Sequence, residues 1–150
     1  MANERGGSVC ADFFFYGILL DNDIYTGVTG RSVAPYDRRP AIVDGYRRVF
    51  RQGASYPILI AAAGDRVEGS LVSKVGQQEI ERLKAFEGHE YDLVQLSVHV
   101  LHRGPVRAHV FMAKSSVAGS ENVWSLSVWR QRYKKRDLAR LRAVPSGTTG

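Results

Sequence analysis

The period of the hydrophobic positions changes along the chain, and each change marks an element. Residues 12–20 predict a buried strand, aromatic and apolar after Asp12 with no further polar interruption until Asp21. Asp21-Asn22-Asp23 is a turn signal whose side-chain oxygens can equally cap the start of a helix. Residues 32–40 contain Pro35 and Pro40 among polar residues and read as a loop. Ala41 to Gln52 reads as a strand, with Ile42, Tyr46, Val49 and Phe50 as core candidates. Gly45 within it marks a bulge or a close backbone approach. Pro57 to Ala63 is a second apolar run, Gly64-Asp65 a turn, and Arg66 to Ser73 alternates through Val67, Gly69 and Leu71. That pair reads as a hairpin.

From Gln77 to Phe86 the period becomes helical: Ile80, Leu83 and Phe86 share one face, and Gly88 ends the helix. Tyr91 to His102 alternates, with Val94, Leu96, Val98 and Val100 on one side and Gln95, Ser97, His99 and Leu101 on the other. Val106 to Ala113 pairs with it across Arg103-Gly104-Pro105. Glu121 to Arg142 is helical by period, with Leu126, Trp129 and Tyr133 on one face, Leu138 and Leu141 further on, and Ser120 or Asn122 as cap. These elements define an α+β domain: a small, mixed, mostly antiparallel β-barrel, closed or half-closed, with flanking helices. Residues 1–9 are expected to be a flexible lead-in, 10–142 a single domain, and 143–150 a disordered tail.

Composition narrows the picture. The chain has 150 residues, 44% of them hydrophobic and 24% charged, which suits one soluble globular domain. No stretch approaches the ~18 apolar residues of a membrane span. The run Phe13–Leu20 is broken by Gly17, follows Asp12, and lacks the basic flank and small-residue cleavage site of a signal peptide, so a cytoplasmic protein is expected. The single cysteine, Cys10, fits a reducing compartment. It reads as a small buried residue beside the first strand, with a nucleophilic role as the alternative.

The net charge of +6 is concentrated at the C-terminus, where Arg130, Arg132, Lys134, Lys135, Arg136, Arg140 and Arg142 crowd together. Such a stripe can bind nucleic acid or an acidic surface. No zinc-finger spacing or aromatic RNA-binding signature accompanies it, so a solvated helix face is expected and nucleic acid is not an expected partner. His89, His99, His102 and His109 lack helical ligand spacing, and no metal site is expected. Gly27-Val28-Thr29-Gly30-Arg31 lacks the ending of a phosphate loop and reads as a turn near a pocket mouth.

Two short segments carry candidate chemistry. Glu87 follows an amphipathic helix, where a carboxylate is ordinarily a solvated end residue. Phe86 and Tyr91 flank it, however, and apolar surroundings raise a carboxyl pKa toward neutrality, where it can both take and give a proton. Glu90 is the competing carboxylate and is expected to be solvated. The second segment is Tyr16-Gly17-Ile18-Leu19. A glycine at a strand end is read either as a plain bulge or as a place where free backbone amides hold a carboxylate.

The order of segments resembles the gamma-glutamylcyclotransferase-like, or AIG2-like, family. That family opens with a strand ending in Tyr-Gly-Ser/Thr-Leu and continues through a Gly-Tyr/Arg-rich strand, Tyr-Pro-x-Leu, Val-x-Gly and Phe/Gln-Glu-Gly-x-x-Tyr. This chain has Tyr16-Gly17-Ile18-Leu19, Gly45-Tyr46-Arg47-Arg48, Tyr56-Pro57-Ile58-Leu59, Val67-Glu68-Gly69 and Phe86-Glu87-Gly88-His89-Glu90-Tyr91. The likeness covers residues 12 to about 113, and Trp124 to Tyr133 resembles the family's tryptophan-containing terminal helix. It implies a compact β-barrel that converts a small-molecule γ-glutamyl amine to 5-oxoproline and free amine without a cofactor. Glu87 would be the general acid/base, with Tyr16, Gly17, Ile18, Leu19 and Tyr91 binding substrate. Three departures stand out. Ile18 replaces a Ser or Thr, Lys84-Ala85 follows Leu83 where many relatives have Asp, and Phe111 replaces a tyrosine three residues after Ala108. The first and third point instead to a non-catalytic ligand-binding or interaction module of the same fold. The resemblance leaves the released amine and the oligomeric state open.

Overall fold

A computed structural model describes residues 10–34 and 37–143. The expected lead-in, and the expected tail apart from Ala143, lie outside the described residues. The chain runs β1 (Cys10–Phe15), a 3-10 turn (Ile18–Leu20), α1 (Asn22–Thr29), β2 (Arg38–Arg51), β3 (Pro57–Gly76), α2 (Gln77–Glu87), β4 (Tyr91–Val100), β5 (Gly104–Ala113), β6 (Gly119–Val123), α3 (Leu126–Arg132) and α4 (Lys134–Ala143). The strands pair in the order β3-β1-β5-β4-β2-β6, and β2 also pairs with β3, so five strands form a barrel-like ring with β6 added beside β2. Neighbours are antiparallel except β1 and β5. This is an α+β fold. No helix among the described residues is long and apolar enough to cross a membrane.

Two apolar clusters follow from the strand alternation. One contains Phe14, Tyr16, Val43, Leu71, Val98 and Val110, drawn from all five ring strands and their ends with no helical residue, and it fills the ring. The other joins Phe13, Phe15 and Val72 to Ile24, Tyr25, Ile80, Leu83, Trp124 and Trp129, and so seats the helices on the outside of the sheet. Phe14 and Phe15 are sequence neighbours in different clusters, as the period of two along a strand requires.

Several elements differ from the sequence reading. β1 ends at Phe15, because Gly17 turns the chain into a 3-10 turn closed by Leu20 N–H to Gly17 O (2.9 Å) and Asp21 N–H to Ile18 O (3.0 Å). Asp21 then caps α1, its carboxylate accepting from the amides of Asp23 and Ile24. The segment Gly27–Arg31 is therefore the end of a helix and not a turn at a pocket mouth. Gly27 packs against Leu141 of α4 so closely that a Cβ would lie 2.7 Å from Leu141 Cδ2. Arg38 to Pro40 belong to β2, paired with Val72 to Ser70, where a loop was expected.

The expected hairpin between residues 57–63 and 66–73 does not form. β3 is one strand, and its hairpin partner is β2. Ala61 pairs with Tyr46 and Arg66 with Asp44, so Ala62 to Asp65 stand opposite Gly45 alone. Gly45 and Gly64 both take φ +87°, a left-handed conformation that bends the ribbon without ending it. The single terminal helix expected from residue 121 is also three elements. Residues 121–123 complete β6, where Asn122 N–H donates to Ser120 Oγ at 3.1 Å, so neither residue is a cap. Ser125 caps α3 instead, and Tyr133, at φ −123°, separates α3 from α4. Cys10 is exposed at the start of β1 and not buried.

Candidate active site

Helix α2 is built to deliver its last residue. Ile80 and Leu83 are buried, Gly76 N–H donates to Glu79 Oε1 at 3.0 Å across the first turn, and Lys84 sits in the last turn facing the negative helix end. Gly88 stops the helix at φ +80°, its N–H closing on Lys84 O at 3.0 Å. Glu87 is thereby held at the helix terminus, one turn past Leu83, while the chain reverses into β4.

Glu87 lines a cavity of ≈ 190 Å³ together with Phe14, Phe15, Tyr16, Gly17, Ile18, Leu19, Tyr56, Pro57, Phe86, Tyr91 and Phe111. All six residues singled out from the sequence, namely Tyr16, Gly17, Ile18, Leu19, Glu87 and Tyr91, therefore meet around one cavity. Tyr56 and Pro57 were legible only as part of a motif, and Phe14 and Phe15 only as strand residues. Phe86 shares the helical face of Ile80 and Leu83 but ends on the cavity wall, 37% exposed.

Glu87 is half-buried as a residue, with its carboxyl end on this apolar wall. Burial pushes its pKa from an ordinary 4.5 up to about 8. Glu90 contrasts with it: exposed, salt-bridged to Arg51 at 2.9 Å, and held below the usual carboxylate range by that pair. Burial and the nearby Glu87 charge raise Tyr91 and Tyr16 above their ordinary 10, so both phenols stay protonated. The Tyr16 hydroxyl donates to Phe111 O at 2.7 Å, which fixes its ring.

The 3-10 turn supplies donors. Leu20 and Asp21 N–H close the turn, whereas the amides of Gly17, Ile18 and Leu19 donate to no other group among the described residues. Gly17 also passes so close to Pro57 that a Cβ would sit 3.1 Å from the proline ring. The cavity thus combines one raised carboxyl group, aromatic walls and a short run of free amides. Among the described residues no three His, Cys, Asp or Glu side chains gather as metal ligands.

The basic C-terminal stripe is less free than its sequence implies. Arg130 Nε and Lys134 Nζ approach Asp21 Oδ2 at 3.0 and 2.9 Å, and Lys134 also pairs with Asp23 at 2.8 Å. Arg136 pairs with its neighbour Asp137 at 3.2 Å. Part of the stripe is therefore an internal clamp, and not only a solvated face.

Residues 13–131 match the family described as Gamma-glutamyl cyclotransferase, AIG2-like, and the chain belongs to that family. It is 27% identical over 134 residues to Protein AIG2 C of Arabidopsis thaliana, covering 87% of this chain and 79% of that protein. A solved structure described as gamma-glutamyl cyclotransferase superposes with a TM-score of 0.64 at 14% identity, covering 95% of this chain and 92% of that one. The crystal structure of an AIG2-like protein from Mus musculus gives a TM-score of 0.59 at 19% identity, covering 78% and 90%. These structures show the shared fold.

Proposed function

We propose that the chain is a γ-glutamyl cyclotransferase. It converts a γ-glutamyl amine to 5-oxoproline and releases the amine. The observation that carries this reading is one carboxyl group with a pKa of about 8 in the same cavity as the free amides of Gly17 to Leu19.

The substrate's α-amino nitrogen attacks its own γ-carbonyl carbon, and the bond from that carbon to the departing nitrogen breaks. No water enters, and one proton moves from the attacking to the leaving nitrogen. Glu87 relays it: the carboxylate takes the proton as the new bond forms and returns it to the amine. A carboxyl group whose pKa is raised to about 8 is present in both forms near neutral pH, so it can take a proton and give it back. The amides of Gly17, Ile18 and Leu19 bind the α-carboxylate or the developing oxyanion. The aromatic wall of Tyr16, Tyr56, Tyr91 and Phe111 excludes water and holds the glutamyl chain folded on itself, and orientation supplies much of the rate. The cytoplasm is the proposed compartment, on the strength of a lone exposed thiol at Cys10.

A panel of γ-glutamyl amines incubated with the chain, with 5-oxoproline read by mass spectrometry, tests this. Formation by wild type and its loss in Glu87→Gln is the expected result. A second reading, a ligand-binding module without turnover, is favoured by the apolar side chains of Ile18 and Phe111 on the wall. Ligand binding with no turnover across the panel would select it.

A further inference from the structure

The segment from Tyr16 to Asp21 is gripped from behind by cations on other elements. Arg48 Nη1, from β2, donates to Tyr16 O at 2.9 Å and to Glu68 O at 2.9 Å. Arg38 Nη2 donates to Leu19 O at 3.2 Å. Arg130 and Lys134 hold the Asp21 carboxylate at the far end. None of these four cations lines the cavity.

Arg48 is unusual among them. Its guanidinium lies 5.2 Å from the centre of the buried Trp124 ring. Trp124 is itself fixed, its backbone N–H donating to Arg48 O at 3.2 Å and its indole N–H to Ser55 O at 2.9 Å. Arg48 Nε is buried and has no partner among the described residues. A half-buried guanidinium with its buried Nε donor unmet is a poor device for stability alone.

Its contact with Tyr16 O has a directional consequence. The chain has no cis peptide bond among the described residues, and in a trans peptide the C=O and the following N–H point opposite ways. A Tyr16 carbonyl pinned toward Arg48 turns Gly17 N–H away from Arg48, and Gly17 borders the cavity. Without the pin, the open φ range of Gly17 resists tilting of this peptide less than any other residue would.

We propose that Arg48 is a positioning residue: by holding Tyr16 O it fixes the Gly17 N–H as an anion donor aimed into the cavity. This inference rests on the cyclotransferase reading for the identity of the anion. Arg48 touches no substrate and acts through the 16–17 peptide.

The test uses the full chain and 5-oxoproline as the carboxylate probe, titrated while the backbone amide signals of Gly17, Ile18 and Leu19 are followed by NMR. Wild type is expected to show saturable shifts at these amides. Arg48→Met is expected to weaken binding and raise KM on the order of 10- to 100-fold through misplacement of the donor. The ionisation of Glu87 in the pH profile of kcat/KM should stay where it is, which a general loosening of the fold would not allow. Arg48→Lys should recover part of the binding, since an ammonium can still reach one carbonyl. Arg47→Met, next along β2 and paired outward with Asp65, should match wild type. A folded Arg48→Met that binds like wild type overturns the proposal. If that variant does not fold, Arg48→Gln carries the same test, and unchanged binding by it overturns the proposal equally. If wild type neither binds 5-oxoproline nor forms it, the cyclotransferase reading falls and this inference falls with it. A wild type that forms 5-oxoproline while the folded variants bind unchanged removes only the role of Arg48.

Discussion

The hydroxyl of Tyr16 donates to the carbonyl oxygen of Phe111 at 2.7 Å, joining the end of β1 to β5 across 95 positions of sequence. The bond is buried and locks one cavity wall to the other. Tyr16→Phe leaves the Phe111 carbonyl without this donor, with an expected loss of about 1–3 kcal/mol. Chemical denaturation monitored by far-ultraviolet circular dichroism measures it, and an unchanged midpoint would show that the bond contributes nothing net.

Glu87 sets the pH dependence of activity. Its pKa of about 8 means that the carboxylate appears as pH rises through that value, so kcat/KM should climb across the same range. Glu87→Gln should abolish the rise and reduce turnover by about 100-fold or more. Initial rates between pH 6 and pH 10, with a stable γ-glutamyl amide, check both.

The same group makes a stability prediction of definite sign. The folded-state pKa lies above the ordinary 4.5, so the native state binds the proton more tightly than the unfolded chain. Stability contributed by protonated Glu87 is complete below 4.5 and is lost as pH rises through about 8. At pH 9 Glu87→Gln should therefore be more stable than wild type by roughly 1–3 kcal/mol, and the difference should shrink as pH falls. Denaturant midpoints for the two proteins at several pH values measure this.

Asp21 titrates in the opposite sense. Burial alone would raise its carboxyl, but hydrogen bonds from Lys134, Arg130 and the Ile24 amide outweigh burial and hold it below its ordinary 3.8. Its contribution is present above that value and is lost as pH falls through the lower folded-state pKa. Asp21→Asn leaves Lys134 and Arg130 without their shared anion and should cost about 3 kcal/mol at neutral pH. Acid titrations of the two folded proteins should converge at low pH, and divergence there would contradict the assignment.

Regular period made part of this molecule legible. α2, β4 and β5 follow from simple alternation or helical spacing, and Gly88 marks the end of α2 where its positive φ requires glycine. The two segments that meet at the cavity were legible as motifs, because each places its chemistry within a few consecutive residues. What was not legible depends on contacts between distant residues. The bulge opposite Gly45 keeps β3 continuous through a sequence that reads as a turn. β6 is a strand only because β2 lends it an edge, and Ser120 to Val123 carry no alternating apolar signal. α1 is short and contains β-branched residues, so it depends on the Asp21 cap and on packing against α2 and α4. Arg48 was legible only as part of the Gly45-Tyr46-Arg47-Arg48 motif, and only the folding of β2 between β3 and β6 brings it against Trp124 and onto Tyr16.

The most direct test of the central claim is the fate of the γ-glutamyl group in isotopically labelled water. Intramolecular attack predicts unlabelled 5-oxoproline and amine in equal amounts from wild type, and neither from Glu87→Gln. Labelled glutamate in place of 5-oxoproline would show hydrolysis by water and would contradict the account.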